Sequence, residues 1–181
     1  MASKSFLLLS ACTHTLSCPC LSLLSLHYTT LYTLNIGSEY VGDWRNNCMH
    51  GQGTRRFADG NVYTGQYRNG ERSGPGRLYF SNGDLYNGEW RNDTMTGFGR
   101  YHYHNGQAFE GFFWQGQRSG KGKYQLADGR MDVYLYENDK RVGEGVRWSA
   151  NRKKAWKLVD GKQKGRIKKD QVAAIIAKMA T

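Results

Sequence analysis

The residues best suited to chemistry are few and scattered. Paired glycines recur as Gly51/Gly53, Gly74/Gly76, Gly97/Gly99, Gly120/Gly122 and Gly143/Gly145. A glycine-rich turn cradles phosphate when a helix follows and presents its N-terminus to the anion. No helix-forming stretch follows these pairs, and neither GxxxxGK[ST] nor GxSxG occurs. Nucleotide binding and serine hydrolysis are therefore disfavoured. The carboxylates Asp43, Glu89 and Glu110 fall at alternating, outward positions, and Asp59 and Asp128 fall at turn sequences. That pattern fits a solvated face and turn caps rather than an acid–base pair. His102 and His104 lie two apart and share one face of a strand, but no further metal ligand is near in sequence. Cys12, His14, Cys18 and Cys20 match no familiar zinc spacing. No catalytic residue, metal site, cofactor or small-molecule substrate is expected.

The elements around these residues are more telling. The chain has 181 residues, 23 of them Gly and only 2 Pro, with 13% aromatics. Gly is costly inside helices, so a mainly helical fold is disfavoured. Charge divides the chain in three. Residues 1–38 carry one charge, Lys4; residues 39–150 carry 15 basic and 13 acidic side chains; residues 151–181 carry 10 basic and 2 acidic ones. The formal net charge is +11, and most of it sits in the last segment.

The middle repeats with a period of 23. Segments open YVGDW (Tyr40, Gly42, Trp44), YTGQY (Tyr63, Gly65, Tyr67), YNGEW (Tyr86, Gly88, Trp90) and FEGFF (Phe109, Gly111, Phe113), and a worn fifth opens DVYLY at Asp132. A GxG pair follows each opening. Then comes Asp59-Gly60, Asn82-Gly83, Asn105-Gly106 or Asp128-Gly129, replaced in the fifth segment by Asn151-Arg152. Aromatic, Gly and aromatic alternate with polar residues, which is the period of a strand. Asp-Gly and Asn-Gly mark turns. Each segment therefore predicts a β-hairpin, and hairpins must stack to bury a core. Gly within a strand weakens it unless something approaches the backbone closely. The expected visitor is an aromatic ring of the neighbouring repeat. Tyr79, Tyr101, Tyr103 and Tyr124 are read either as a binding surface or as a second packed face.

This pattern resembles the MORN repeat (membrane occupation and recognition nexus) over residues 40–152. The resemblance implies a mainly β fold, a stacked antiparallel β-hairpin solenoid, and a non-catalytic role as scaffold or tether. Some such arrays are thought to contact acidic phospholipids. Asp132, Tyr134 and Arg152 depart from the pattern and put the fifth hairpin in question.

Three regions follow: an N-terminal extension over 1–38, the array over 39–152, and a basic tail over 153–181. Val172, Ile175, Ile176 and Met179 recur at helical spacing, with Asp170 placed to cap a short amphipathic helix. That helix either covers the open end of the array or lies on a membrane. Arg152, Lys153, Lys154, Lys157, Lys162, Lys164, Arg166, Lys168 and Lys169 form the candidate contact with an anionic membrane surface. Nucleic acid is disfavoured, because no nucleic-acid fold accompanies the charge. A protein–protein adaptor using the β face, or a regulatory subunit for an enzyme on another chain, are the alternatives. The extension is read as disordered, as targeting-like, or as a site of acylation. Cys48 has no evident partner in sequence, so an intracellular location is expected, cytoplasmic or peripheral on a membrane.

Overall fold

The computed structural model describes residues 28–34 and 37–179, with side chains from residue 37 onward. Cys12, His14, Cys18 and Cys20, considered above for metal binding or acylation, lie outside the described residues. Among those described there are thirteen strands and one helix. They are β1 Tyr28–Leu34, β2 Ser38–Arg45, β3 Cys48–Arg56, β4 Val62–Arg68, β5 Glu71–Tyr79, β6 Leu85–Arg91, β7 Thr94–His102, β8 Ala108–Trp114, β9 Gln117–Gln125, β10 Met131–Glu137, β11 Lys140–Trp148, β12 Ala155–Val159, β13 Lys162–Ile167 and α1 Lys169–Lys178. The fold is mainly β, antiparallel and open, with each strand following its sequence neighbour in order. Two compact units are present. One holds the described residues up to Ser81 together with Trp90–Asp93; the other holds Asn82–Glu89 and the residues from Thr94 onward.

The hairpins close on turns that the glycine-pair reading passed over. Asn69-Gly70 has φ of 53° and 90° and joins β4 to β5 in two residues. Two successive positive φ values match the twist of the flanking strands, which is why this turn type favours Asn and Gly. The polar stretch Arg68–Gly74, which the sequence offers as the second turn, does contain it, but only Asn69 and Gly70 lie between the strands. The Asp-Gly and Asn-Gly sequences make the wider turns between repeats, where the Gly60 N–H donates to the Phe57 carbonyl at 3.0 Å. Arg152 takes the same left-handed conformation, φ 58°, and its N–H donates to the Ser149 carbonyl at 2.9 Å. The turn thus persists in the fifth repeat without its glycine.

Close approach explains the strand glycines, with one correction: the ring comes from the same repeat. Gly42 pairs with Gly53 and Gly53 with Gly65 across three strands. A Cβ on Gly53 would stand 2.5 Å from Tyr40 Cζ, and one on Gly65 would stand 2.5 Å from the Gly76 backbone. In the second unit Tyr86 lies over Gly88 and Gly99, and Phe109 over Gly111 and Gly122. Neighbouring repeats meet edge to face instead. Tyr40–Tyr67 and Tyr63–Trp90 have centroids 5.2 and 5.3 Å apart in the first unit; Tyr86–Phe113 and Phe109–Tyr136 are each 5.1 Å apart in the second. Such pairs add about 0.5–1.5 kcal/mol each beyond their buried area. The eight aromatics among the twelve repeat positions from Tyr40 to Phe113 are buried.

The register slips beside each ring. Gly42 pairs with Gly53 but Trp44 with Met49, so β3 carries two extra residues around Gly51, whose φ is 60°. At the slip the Tyr40 hydroxyl donates to the Asp43 carbonyl at 3.0 Å. Tyr63 and Tyr86 repeat this to Gln66 and Glu89 at 3.1 and 3.2 Å. Burial first, and then the Asp43 carboxylate, push the Tyr40 hydroxyl up to about 12, so it remains a donor.

The ends differ from the sequence reading. Tyr28–Leu34, assigned to the extension, is a strand whose backbone pairs with β2, Tyr32 opposite Tyr40. Residues 155–167, assigned to a basic tail, form a sixth hairpin closed by Asp160-Gly161. The predicted helix is present. Asp170 sits in its first turn, while the Lys168 N–H caps onto Gln171 Oε1 at 2.9 Å. Val172, Ile175 and Met179 pack on Val133, Val146 and Ala155, so α1 covers part of the sheet. Cys48 is disulfide-bonded, which corrects its reading as an unpartnered thiol and removes that argument for a reducing compartment.

Substituting Gly88→Val places Cβ 2.6 Å from the Gly99 backbone, with the Tyr86 ring equally close. Unfolding in denaturant should show a loss of about 1–3 kcal/mol. Gly165, where a Cβ meets nothing within 4 Å, is the control. Gly165→Ala should stay within about 0.5 kcal/mol of wild type. Equal effects of the two would refute the close-approach explanation.

Candidate binding surfaces

Three surfaces remain once the ring-packed core is set aside. The first lies at the wider turns of the second unit. Tyr101, Tyr103 and Tyr124 are half-buried and packed on one another, with centroids 4.7 and 5.9 Å apart. Tyr124 donates to Gln107 Oε1 at 2.5 Å. Tyr79 alone of the four is well exposed, at 44%. So three of these tyrosines pack together rather than present free rings.

Asp84 anchors this end. Only 8% exposed, it accepts from the His104 backbone N–H at 2.8 Å, from the Tyr101 hydroxyl at 2.9 Å and from Asn82 Nδ2 at 3.2 Å, and its Oδ1 lies 2.9 Å from His104 Nδ1. Burial pushes the carboxyl up. The hydrogen bonds from His104, Tyr101 and Asn82 outweigh it and hold the group at about 2. The ring of His104 is thus engaged with Asp84. Among the described residues no group of three or more His, Cys, Asp or Glu is placed to hold a metal.

The second surface is basic. Lys153, Lys154, Lys162, Lys164, Arg166, Lys168 and Lys169 are exposed. The other two candidates are engaged. Lys157 pairs with Glu144, and Arg152 donates to the carbonyls of Gly129 and Ser149 at 3.2 and 3.3 Å. Lys162, Lys164 and Arg166 lie on β13, the last strand in the order. Lys and Arg there also guard an open edge against pairing with another chain.

The third surface escaped the sequence reading. Phe98, Phe112 and Trp114 are 53%, 52% and 59% exposed. Phe98 and Phe112 are cross-strand partners with centroids 5.6 Å apart. They lie on the face opposite the ring core, beside an open depression of about 440 Å³ lined by Thr96, Ser119 and Gly120. The signal was in the alignment. Phe112 stands where the other repeats have Asp43, Gln66 and Glu89, and Trp114 where they have Arg45, Arg68 and Arg91.

Comparison with known proteins agrees with the period-23 register over the first four repeats; the fifth match starts at Tyr136, past the expected opening at Asp132. The MORN repeat model matches residues 40–62, 63–85, 86–108, 109–129 and 136–153. The chain belongs to the MORN-repeat family. Curated proteins compared by sequence give no match. Among solved structures the chain is similar to the TCP domain of Drosophila melanogaster SAS-4 (dCPAP), solved with a proline-rich motif of Ana2. Identity is 12%, coverage 83% of this chain and 96% of that one, and the TM-score 0.39. The TCP10 domain of Danio rerio CPAP, solved with a STIL peptide, gives 11% identity, coverage of 74% and 70%, and a TM-score of 0.30. MORN arrays are scaffolding and binding modules. No helix among the described residues is long and apolar enough to cross a membrane.

The depressed Asp84 carboxyl has a pH signature. Its contribution is complete above the ordinary carboxyl range near 4 and is lost as pH falls toward about 2. The difference is worth about 2 kcal/mol. Denaturant unfolding from pH 5 to pH 2 should show wild type losing about that much more stability than Asp84→Asn. Parallel pH profiles would refute the assignment.

Proposed function

We propose that this MORN protein is a non-enzymatic protein-binding scaffold, and that it grips its partner with the face bearing Phe98, Phe112 and Trp114. The observation that carries this reading is the exposure of three large aromatics together. The first three repeats place polar residues at the positions of Phe112 and Trp114. Aromatics are enriched at protein interfaces because they cover much area for little lost entropy. The rigid, ring-packed hairpins behind them supply a fixed platform. The test is panning of a random peptide display library against the full chain, with counter-selection on Phe112→Gln/Trp114→Arg. Those two substitutions install what the second repeat carries at Gln66 and Arg68, so the hairpin should be retained. Enrichment of peptides that bind wild type at least tenfold better than the variant is expected. Peptides that bind both equally would remove this face from the reading.

A second reading keeps the chain as a tether to anionic lipid through the basic C-terminal surface. Its support is the exposure of seven cations within residues 153–169. Each contributes about 1 kcal/mol near an anionic bilayer. Deleting the segment is unsuitable as a test, because β12 pairs with β11. Charge reversal of Lys162, Lys164 and Arg166 to Glu leaves the strands in place. Co-sedimentation with phosphatidylserine vesicles should fall at least tenfold, with neutral vesicles unaffected. Unchanged pelleting, or none by wild type, would end the lipid reading.

A further inference from the structure

The face that carries Phe98 and Phe112 is already covered a few strands away, and the cover is a helix. Register connects the two places within the second unit. Arg100 pairs with Glu110, Glu110 with Lys123, Lys123 with Val133, and Val133 with Val146. Directly opposed residues on neighbouring strands project to the same side. Val133 and Val146 lie beneath α1. In the next row toward the tight turns, Phe98 pairs with Phe112, and Lys121 pairs with Leu135, which also packs on the helix cluster. The aromatic patch is therefore a continuation of the α1 platform, uncovered by any described residue.

We infer that the patch is the seat of an amphipathic helix from another protein, laid on the sheet beside α1. Deepening the proposed function, this inference rests on that reading of the aromatic face. Three features favour a helix over other occupants. The groups offered are side chains on a sheet face, not the unpaired backbone that receives an added strand. The fold itself packs Val172, Ile175 and Met179, spaced three and four apart, on the same face. A second copy is disfavoured, since each chain carries a net charge of +11.

The rim adds polarity. Arg100, on the wider-turn side of the aromatics, and Lys121, in their row, are exposed and enter no ion pair among the described residues; Lys123, in the Arg100 row, pairs with Glu110 at 2.9 Å. Glu89, against Gly97, and Glu137, at the end of β10, are exposed on the tight-turn side. The fitting helix has an apolar stripe bordered by acidic residues along one edge and basic residues along the other.

Defined synthetic peptides test this with the full-length chain. The probe is a fluorescein-labelled helical peptide with a Leu/Phe stripe, Glu along one edge and Lys along the other. Its companions are a scrambled sequence of the same composition and a peptide with Glu and Lys exchanged. Fluorescence anisotropy should show micromolar binding of the helix and at least tenfold weaker binding of the scrambled peptide. Phe112→Gln/Trp114→Arg should weaken binding of the helix at least tenfold. Arg100→Glu/Lys121→Glu should weaken it several-fold, and a peptide with Lys in place of its Glu edge should recover the loss. Equal binding of helical and scrambled peptides, lost in Phe112→Gln/Trp114→Arg, would overturn the helix inference and leave the protein-binding face standing. Binding of neither peptide also overturns it. In that event, dimerisation by sedimentation or adsorption to phosphatidylcholine vesicles, abolished by the same substitutions, would assign the patch to a second copy or to lipid and end the protein-partner reading with it.

Discussion

The fold depends on one contact: an aromatic ring lying flat against two strands that have no side chains beneath it. Gly42 and Gly53 are paired across β2 and β3, and Tyr40 covers both. A methyl group on either glycine would overlap the ring or the opposite strand. The contact forces other features. The ring needs its hydroxyl satisfied, and the slipped register supplies the Asp43 carbonyl at 3.0 Å. The slip in turn needs a residue that tolerates positive φ, and Gly51 provides it at 60°. YxGxW and GxG are thus two halves of one packing requirement. This is why they recur in strict register, and why the GxG pairs have no bearing on phosphate.

How much of this was legible follows from which residues carry each element. The rings and bare backbone are sequence-specific, so the period and the hairpins could be read directly. The partner of each ring could not be. Spacing alone does not distinguish the glycine of the same repeat from that of the next. The tight turns could be placed only as a polar stretch such as Arg68–Gly74, because their residues vary: Asn46-Asn47, Asn69-Gly70, Asn92-Asp93 and Gln115-Gly116. What they share is backbone conformation rather than identity. The sixth hairpin was hidden for a related reason. The period of 23 points to Ala155 and Lys157, but the pairing is displaced by one residue: Trp156 opposes Arg147 as Phe109 opposes Tyr101, leaving Asp160-Gly161 as the one familiar sign in the sequence. Its charges looked like a solvated tail, although Leu158 is fully buried. The aromatic patch was missed because the repeat pattern draws attention to Phe109 and Phe113, and Phe112 and Trp114 lie beside them in a stretch already rich in aromatics.

The fifth repeat shows how the array changes character at its end. The ring moves two places along the strand. Tyr134 stands where other repeats have glycine, and a Cβ on Gly145 would lie 2.5 Å from it. The vacated position holds Asp132, fully buried and gripped by Arg147 through two contacts of 2.7 Å, with Arg141 at 3.7 Å. Two parallel bonds to a guanidinium satisfy both carboxylate oxygens, which a buried charge requires. A buried pair of this kind adds little net stability over an apolar one. Its geometry is directional where a ring contact is not, and it pins Arg147 on the ring side of β11.

The alternation of strands then places Val146 on the other side, where α1 lies. A single sheet with rings on one face leaves its second face to solvent. In the fifth and sixth hairpins Val133, Val146 and Ala155 turn that second face apolar, and the helix is what makes this tolerable. The same face carries Phe98 in the third repeat and Phe112 in the fourth, and no helix among the described residues covers them. An apolar change on an uncovered face costs solubility with no gain in packing within the chain. Of the two neighbouring stretches, one is covered by α1 and the other by no described helix. The covered one shows what form of cover this face accepts.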